Sequence, residues 1–112
     1  MSSFFTNKVV WITGASSGLG EALAKEFACE KAKLILSARR ESELQRVKKE
    51  CAKFIPEEDI LIFPLDVTEL AGIESVVQKV IQKFGKIDVL VNNAGVSQRA
   101  FIVDTPLEVE RK

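Results

Sequence analysis

Residues 8–20 read KVVWITGASSGLG. The first part of this stretch, residues 8–13, is a short run rich in β-branched and aromatic residues, which is typical of a buried strand. Gly14 closes that run, and apolar residues then recur at helical spacing from Gly18 to about Glu30. The stretch therefore predicts a buried strand that passes through a glycine-rich turn directly into a helix.

The rest of the chain repeats this alternation of strand and helix. Amphipathic patterns predict helices over residues 41–54 and 73–84, and Thr105-Pro106 has the residue types of a further helix start. Other short apolar runs predict strands at residues 33–38, 60–64 and 89–93. Because short apolar strands that alternate with amphipathic helices pair in parallel, we expect one α/β domain over residues 1–112, with helices on both faces of its sheet.

The glycine-rich turn has the properties of a phosphate-binding loop. Gly14 allows a sharp turn off the strand, Gly18 lets the backbone approach a pyrophosphate, and Gly20 permits close packing of helix on strand. Ser16 and Ser17 add hydroxyl groups, and the positive end of the helix attracts anions. The spacing GxxxGxG differs from the commoner GxGxxG, and the alternative is a glycine-rich turn that binds no ligand.

Three motifs of the chain resemble those of the short-chain dehydrogenase/reductase family, whose Rossmann-fold enzymes use NAD or NADP. They are TGASSGLG at residues 13–20, Asp66-Val67 after the third strand, and NNAG at residues 92–95. The resemblance implies a Rossmann-type doubly wound parallel sheet of strand order 3-2-1-4, truncated after the fourth strand. It also implies cofactor contacts at Gly14, Ser16, Ser17, Gly18, Leu19, Gly20, Asp66, Val67, Asn93, Ala94 and Gly95. NNAG together with Asp66-Val67 disfavours a Rossmann site for adenosylmethionine or a sugar nucleotide.

The end of the second strand indicates which nicotinamide cofactor is preferred. NAD-preferring Rossmann domains usually carry Asp or Glu there, whereas this chain has Ala38, followed by Arg39 and Arg40. A guanidinium group can bind a phosphate bidentately, so we expect Arg39 to be the main contact of the 2′-phosphate, assisted by Ser37 and Arg40. NADP is therefore favoured over NAD, although many NADP-preferring relatives carry a basic residue where Ser17 stands. The alternative is that both arginines are the solvated start of the second helix.

The composition removes the usual proton-transferring groups, because the chain contains no His and no Tyr. The resemblance implies hydride transfer in which a Tyr, a Lys four residues later and an upstream Ser act on a carbonyl or alcohol substrate. Only residues 96–112 follow NNAG, and we expect no catalytic residue in this chain. We expect the cofactor-binding half of an NADP-dependent oxidoreductase, inactive alone and homo-oligomeric only in a longer form. The alternative is a non-catalytic truncated form that binds a nucleotide or a protein partner.

Charge and cysteine content exclude several other classes of function. The 16 basic and 16 acidic residues cancel, so binding to nucleic acid or an anionic membrane by bulk electrostatics is not expected. Cys29 and Cys51 do not form a CxxC motif, which predicts no metal site.

The sequence shows no signal peptide or membrane span, so an intracellular, by default cytoplasmic, location is expected. LILSARR and NNAGVSQR resemble a membrane-associated subgroup of the family, which implies the endoplasmic reticulum membrane as the alternative location.

The implied strand order makes the fourth strand a vulnerable element. In the family this strand is internal, with neighbours on both sides. Here VLVNN at residues 89–93 would form an open edge that is apolar on both faces, which is an aggregation hazard. We therefore expect the isolated chain to be poorly soluble or only partly folded.

Overall fold

A sheet with helices on both faces organises the protein in this computed structural model, which describes residues 4–16, 18–65, 70–92 and 101–103. The strands are β1 (Val9–Thr13), β2 (Lys33–Ala38), β3 (Ile60–Pro64), β4 (Val89–Asn92) and β5 (Phe101–Val103). The helices are α1 (Gly18–Cys29), α2 (Glu41–Cys51) and α3 (Leu70–Phe84), and a turn of 3₁₀-helix spans Glu57–Asp59. Strands and α-helices thus alternate from β1 to β4, as the sequence predicts.

The order of the strands is β3-β2-β1-β4-β5, which confirms the expected 3-2-1-4 arrangement of the parallel strands. β1 lies in the centre and pairs in parallel with β2 and β4, so that Thr13 is opposite Ser37 on one side and Asn92 on the other. β3 pairs in parallel with β2. The carboxyl ends of these four strands therefore lie along one edge of the sheet, where open α/β sheets bind their ligands.

The expectation that the fourth strand would be an open edge is wrong. β5 pairs antiparallel with β4, with Leu90 opposite Val103 and Asn92 opposite Phe101, so the outer hydrogen-bonding edge of β4 is covered. No strand was expected at residues 101–103, because a run of three apolar residues is too short to show a period. The helix start expected at Thr105-Pro106 lies outside the described residues.

The two faces of the sheet bury different sets of side chains because successive residues of a strand point to opposite sides. Val10, Ile12, Leu34 and Leu36 belong to one cluster, together with residues of α1 and α2. The other cluster contains residues of α3 together with Val9, Trp11 and Ile35. All five residues of β1 are buried, so β1 is the central strand of a two-sided core.

The helices differ from the expected ranges at two boundaries. α2 ends at Cys51 rather than at residue 54, and the chain then tightens into a turn in which Phe54 N–H donates to the carbonyl oxygen of Cys51. Pro56 follows and cannot continue a helix, and the side chain of Phe54 is 40% exposed. α3 begins at Leu70, three residues before the apolar stripe that predicted it.

Asp88 joins the start of β4 to the start of β1. Its Oδ2 atom accepts a hydrogen bond from the backbone N–H of Val9 at 2.8 Å, and its own N–H donates to the carbonyl oxygen of Val9 at 2.9 Å. Lys86 forms an ion pair with the same carboxylate at 3.2 Å. The carboxylate therefore satisfies a buried backbone donor at the beginning of the central strand.

Replacing Asp88 with Ala should lower the free energy of unfolding by about 1–3 kcal/mol, because the Val9 N–H would lose its acceptor inside the protein. Chemical denaturation followed by circular dichroism measures this. Asp88→Asn retains an oxygen acceptor and should cost less. Lys86→Ala, which removes only the partly exposed ion pair, should change stability by less than about 1 kcal/mol. Equal losses from Asp88→Ala and Lys86→Ala would show that the Val9 contact is unimportant.

Candidate functional site

The turn after β1 lies at the carboxyl edge of the sheet and is attached to β2. Gly14 has φ = 66°, in the left-handed region that side chains with a Cβ rarely adopt. The next residue, Ala15, is buried, and its N–H donates to the carbonyl oxygen of Ser37 at 3.0 Å. Ser16 is half-buried. The turn is thus fixed between the central strand and the end of its neighbour.

The surroundings of Gly20 confirm the prediction that this glycine permits close packing of the helix on the strand. A methyl group at this position would overlap the carbonyl oxygen of Gly14 and lie 2.9 Å from the Cα of Ala15. Both neighbours are backbone, so they cannot rotate away as a side chain could. The first turn of α1 therefore rests directly on the turn that follows β1.

Gly18 has the opposite surroundings, although it is only two residues away. It is exposed, and a methyl group built on it would meet nothing within 4 Å. It is the first residue of α1, where backbone N–H groups have no acceptor within the helix and the helix dipole is positive. Leu19, the next residue, is a large apolar side chain that is 50% exposed. The space over Gly18 is thus open, polar at its backbone and flanked by an apolar side chain.

Arg39 and Arg40 lie exposed where the chain leaves β2. Arg40 is the N-cap residue of α2 and has an extended backbone, with φ = −104° and ψ = 115°. Within the described part of the chain, no ion pair joins either guanidinium group to a carboxylate. Both cations are therefore free of acidic partners among these residues.

Arg46, in contrast, is held by two carboxylates. It donates two hydrogen bonds to Glu21 of α1, at 2.9 and 3.0 Å, and two to Glu43 of α2, at 2.9 and 3.0 Å. The hydrogen bonds from Arg46, followed by that from Lys25, lower the pKa of Glu21, and those to Glu21 and Glu43 raise the pKa of Arg46. The network neutralises the acidic side chain in the first turn of α1 and bridges α1 to α2.

Ser37 is not at the surface where a phosphate contact was expected. Its side chain is fully buried, and its Oγ atom accepts a hydrogen bond from Nε1 of Trp11 at 2.9 Å. The reason is the alternation along β2, which sends Ser37 to the same side of the sheet as Ile35. Trp11 belongs to the run of residues 8–13 that predicts a buried strand and is 3% exposed, but its hydrogen-bond partner was not predicted from the sequence. The requirement of a buried indole N–H for an acceptor is the signal that could have found it.

The remaining expected contacts, Ser17, Asp66, Val67, Asn93, Ala94 and Gly95, lie outside the described residues. The described residues before them do reach the same edge of the sheet. The N–H of Leu65, directly before Asp66, donates to the carbonyl oxygen of Ala38 at 2.8 Å. Asn92, directly before Asn93, lies opposite Thr13. The ends of β3 and β4 thus lie at the same edge of the sheet as the glycine turn.

The described residues contain neither a metal-binding cluster nor a helix that could span a membrane. No group of three or more His, Cys, Asp or Glu side chains among them is arranged so that it could hold a metal ion. None of the described helices is long and apolar enough to cross a bilayer. Burial raises the pKa of the Cys51 thiol to about 11, whereas Cys29 is exposed.

The sequence model of the family described as short chain dehydrogenase matches residues 8–110. The chain belongs to the short-chain dehydrogenase family. It is 50% identical over 109 residues to human "Dehydrogenase/reductase SDR family member 7", an alignment that covers 96% of this chain and 32% of that protein. The chain thus spans about a third of the length of the curated relatives it matches.

Solved structures of other short-chain dehydrogenases have the same fold. L-sorbose reductase from Gluconobacter frateurii, complexed with NADPH and L-sorbose, superposes with a TM-score of 0.78 at 38% identity, over 88% of this chain and 37% of that one. The 3-ketoacyl-(acyl-carrier-protein) reductase from Brucella melitensis, complexed with NADH, superposes with a TM-score of 0.73 at 37% identity, over 85% of this chain and 37% of that one. The structures that resemble this chain thus include one complex with NADPH and one with NADH.

The two glycines of α1 should respond differently to substitution by Ala. Gly20→Ala should destabilise the fold by about 1–3 kcal/mol or more, because the added methyl group meets rigid backbone. Gly18→Ala should change stability by less than about 1 kcal/mol, because its surroundings are open and Ala favours the helix. Thermal unfolding of the two variants measures the difference. Equal destabilisation by both would contradict the packing described for this turn.

Proposed function

We propose that this chain binds NADP(H) and forms the cofactor-binding part of an oxidoreductase that transfers hydride between NADP(H) and a carbonyl or alcohol substrate. The observation that carries the proposal is the open backbone at Gly18, in a turn bonded through Ala15 to the end of β2, after which two arginines follow that have no acidic partner within the described residues. The residues present fit a dinucleotide, since a Cβ at Gly18 would occupy the space that a pyrophosphate needs.

The pyrophosphate would lie at the beginning of α1. The N–H groups of the first turn and the positive end of the helix dipole stabilise negative charge there without any basic side chain. Gly20 allows the helix to approach the turn, and Gly18 allows the phosphate to approach the helix. Arg46 holds the carboxylate of Glu21, which lowers the repulsion that this first-turn acid would exert on a phosphate.

The choice of NADP over NAD would come from the chain that follows β2. A carboxylate at the end of this strand accepts hydrogen bonds from a ribose 2′-hydroxyl and repels a 2′-phosphate, but here the position is Ala38. Arg39 would bind the 2′-phosphate with its planar guanidinium group, and Arg40 would add positive charge beside it. Two acids stand in the first turn of α2: Glu41, directly after Arg40, is exposed, and Glu43 is held by Arg46.

The nicotinamide ring supplies and accepts the hydride when the cofactor is bound. The residues of this chain would bind and orient the nucleotide, with Leu19 as an apolar contact and Asn93, Ala94 and Gly95 beside the ribose. Asp66 and Val67 would lie at the adenine. The proton-transferring Tyr that the family resemblance implies has no counterpart in these 112 residues, which contain no Tyr. We therefore propose that this chain binds the cofactor and does not turn over substrate by itself.

Arg39→Ala should weaken NADPH binding about 10- to 100-fold and leave NADH binding nearly unchanged, because only the charged hydrogen bonds to the 2′-phosphate are lost. Isothermal titration of the purified chain with each nucleotide measures this. The matched control is Lys49→Ala, which removes the same charge from an exposed position on α2 and should affect neither nucleotide. Equal weakening of NADPH and NADH by Arg39→Ala would contradict the assigned contact.

Gly18→Ala should weaken NADPH and NADH binding to a similar extent while the fold is retained, because both nucleotides share the pyrophosphate. Wild-type chain that binds neither nucleotide would overturn the proposed function. Turnover of NADPH by this chain with a carbonyl substrate would overturn the proposal that it only binds the cofactor.

A further inference from the structure

Trp11 and Ser37 form a hydrogen bond inside the sheet, on different strands and 26 residues apart in sequence. The indole is 3% exposed and the serine is fully buried, so solvent does not compete for either group. Neither side chain reaches the surface on which a nucleotide would lie. Any effect of this pair on a bound nucleotide must therefore be indirect.

Ser37 lies near the end of β2, two residues before the first of the two arginines. Three interactions fix this residue: ladder pairing opposite Thr13 and Phe63, the N–H of Ala15 donating to its carbonyl oxygen, and Trp11 donating to its hydroxyl. Ala38 is the last residue of β2, and its carbonyl oxygen accepts from Leu65. Beyond it, Arg39 and Arg40 are exposed. Ser37 and Ala38 are thus the last anchored residues before the arginines.

Trp11 can make this contact because its side chain is long and its indole N–H is a hydrogen-bond donor. Ser37 pairs with Thr13 in the ladder, so the indole must reach diagonally across two residues to its hydroxyl. Diagonal neighbours on one face of a sheet are within the range of aromatic side chains. A Phe at the same place would fill much of the volume but has no donor, and the Ser37 hydroxyl would lose a partner.

We propose that Trp11 is a positioning residue whose indole N–H, through Ser37, fixes the end of β2 and so sets the preference for a nucleotide with a 2′-phosphate. This inference rests on the proposed function. A long arginine side chain loses less conformational freedom on binding when the backbone before it is already fixed. The Trp11–Ser37 hydrogen bond therefore raises affinity for the 2′-phosphate by pre-organising the end of β2. The glycine turn is held by the backbone carbonyl of Ser37 and not by its hydroxyl, so loss of the Trp11–Ser37 hydrogen bond leaves the contact between β2 and the pyrophosphate site in place.

The test compares NADP⁺ and NAD⁺ affinities of the purified chain and its variants Trp11→Phe, Ser37→Ala and the double variant. Each single variant should lower the ratio of NADP⁺ to NAD⁺ affinity roughly 2- to 10-fold, the range of one net hydrogen bond, with NAD⁺ affinity unchanged. The double variant should lose no more than either single one, because all three break the same interaction. Ser37→Thr keeps the hydroxyl and should retain the wild-type ratio.

Stability measured on the same samples separates positioning from a purely structural role. Each single variant leaves one buried partner unsatisfied, so the double variant should be more stable than the sum of the two losses predicts. A structural role alone would weaken both nucleotides together and in proportion to lost stability, which would overturn the inference. If Trp11→Phe does not fold, the ratio of NADP⁺ to NAD⁺ affinity in the smaller change, Ser37→Ala, tests the inference by itself.

Binding of the two nucleotides to the wild-type chain shows whether a negative result concerns the proposed function or only the role of Trp11. A wild-type chain without preference for NADP⁺ overturns the proposed function, and the role of Trp11 falls with it. A wild-type preference that persists unchanged in folded Ser37→Ala overturns the role of Trp11 and leaves the proposed function intact.

Discussion

The close contact between α1 and the turn after β1 is the constraint on which the site depends. A side chain at Gly20 would collide with the backbone of Gly14 and Ala15, so the helix rests on the turn with nothing between them. This contact directs the positive end of the helix at the carboxyl edge of the sheet. It also leaves Gly18 facing open space, and the hydrogen bond from Ala15 to Ser37 connects the turn to the end of β2. This packing contact and this hydrogen bond together connect the backbone proposed to bind phosphate with the arginines that follow β2.

Much of the fold follows from local patterns in the sequence. Apolar runs such as residues 33–38 and 60–64 are short and bounded by polar residues, and the stripe from Ile73 to Phe84 has helical spacing, so both element types could be assigned from their periods. Strand order came from the family resemblance. β5 could not be predicted, because its three residues have no period and its pairing with β4 is decided only by the folded sheet. The sequence pattern extends α2 too far because an apolar residue, Phe54, continues the stripe beyond Cys51, where the helix ends.

The candidate site was predictable where its chemistry lies in consecutive residues. Gly18 and Gly20 could be assigned different roles from their order in the turn, and the exposed position of Arg39 follows from its place after a strand. Contacts between distant residues were not predictable in the same way. Ser37 bonds to Trp11, and Arg46 to Glu21, across 26 and 25 residues. Each contact requires the register of the sheet or the packing of α1 on α2, which no local pattern contains. The burial of Ser37 changes its expected role from phosphate contact to anchor of the strand end.

We propose that the first turn of α1 and the residues after β2 together bind one NADP(H) molecule. A two-dimensional ¹H–¹⁵N NMR titration of the labelled chain with NADP⁺ tests it most directly. We expect NADP⁺ to cause saturable shifts of the backbone amides of Gly18, Leu19 and Gly20 and of the Nε–H of Arg39, and NAD⁺ to shift the amides but not the Arg39 signal. Shifts confined to other parts of the chain, or shifts of the α1 amides without preference at Arg39, would contradict it.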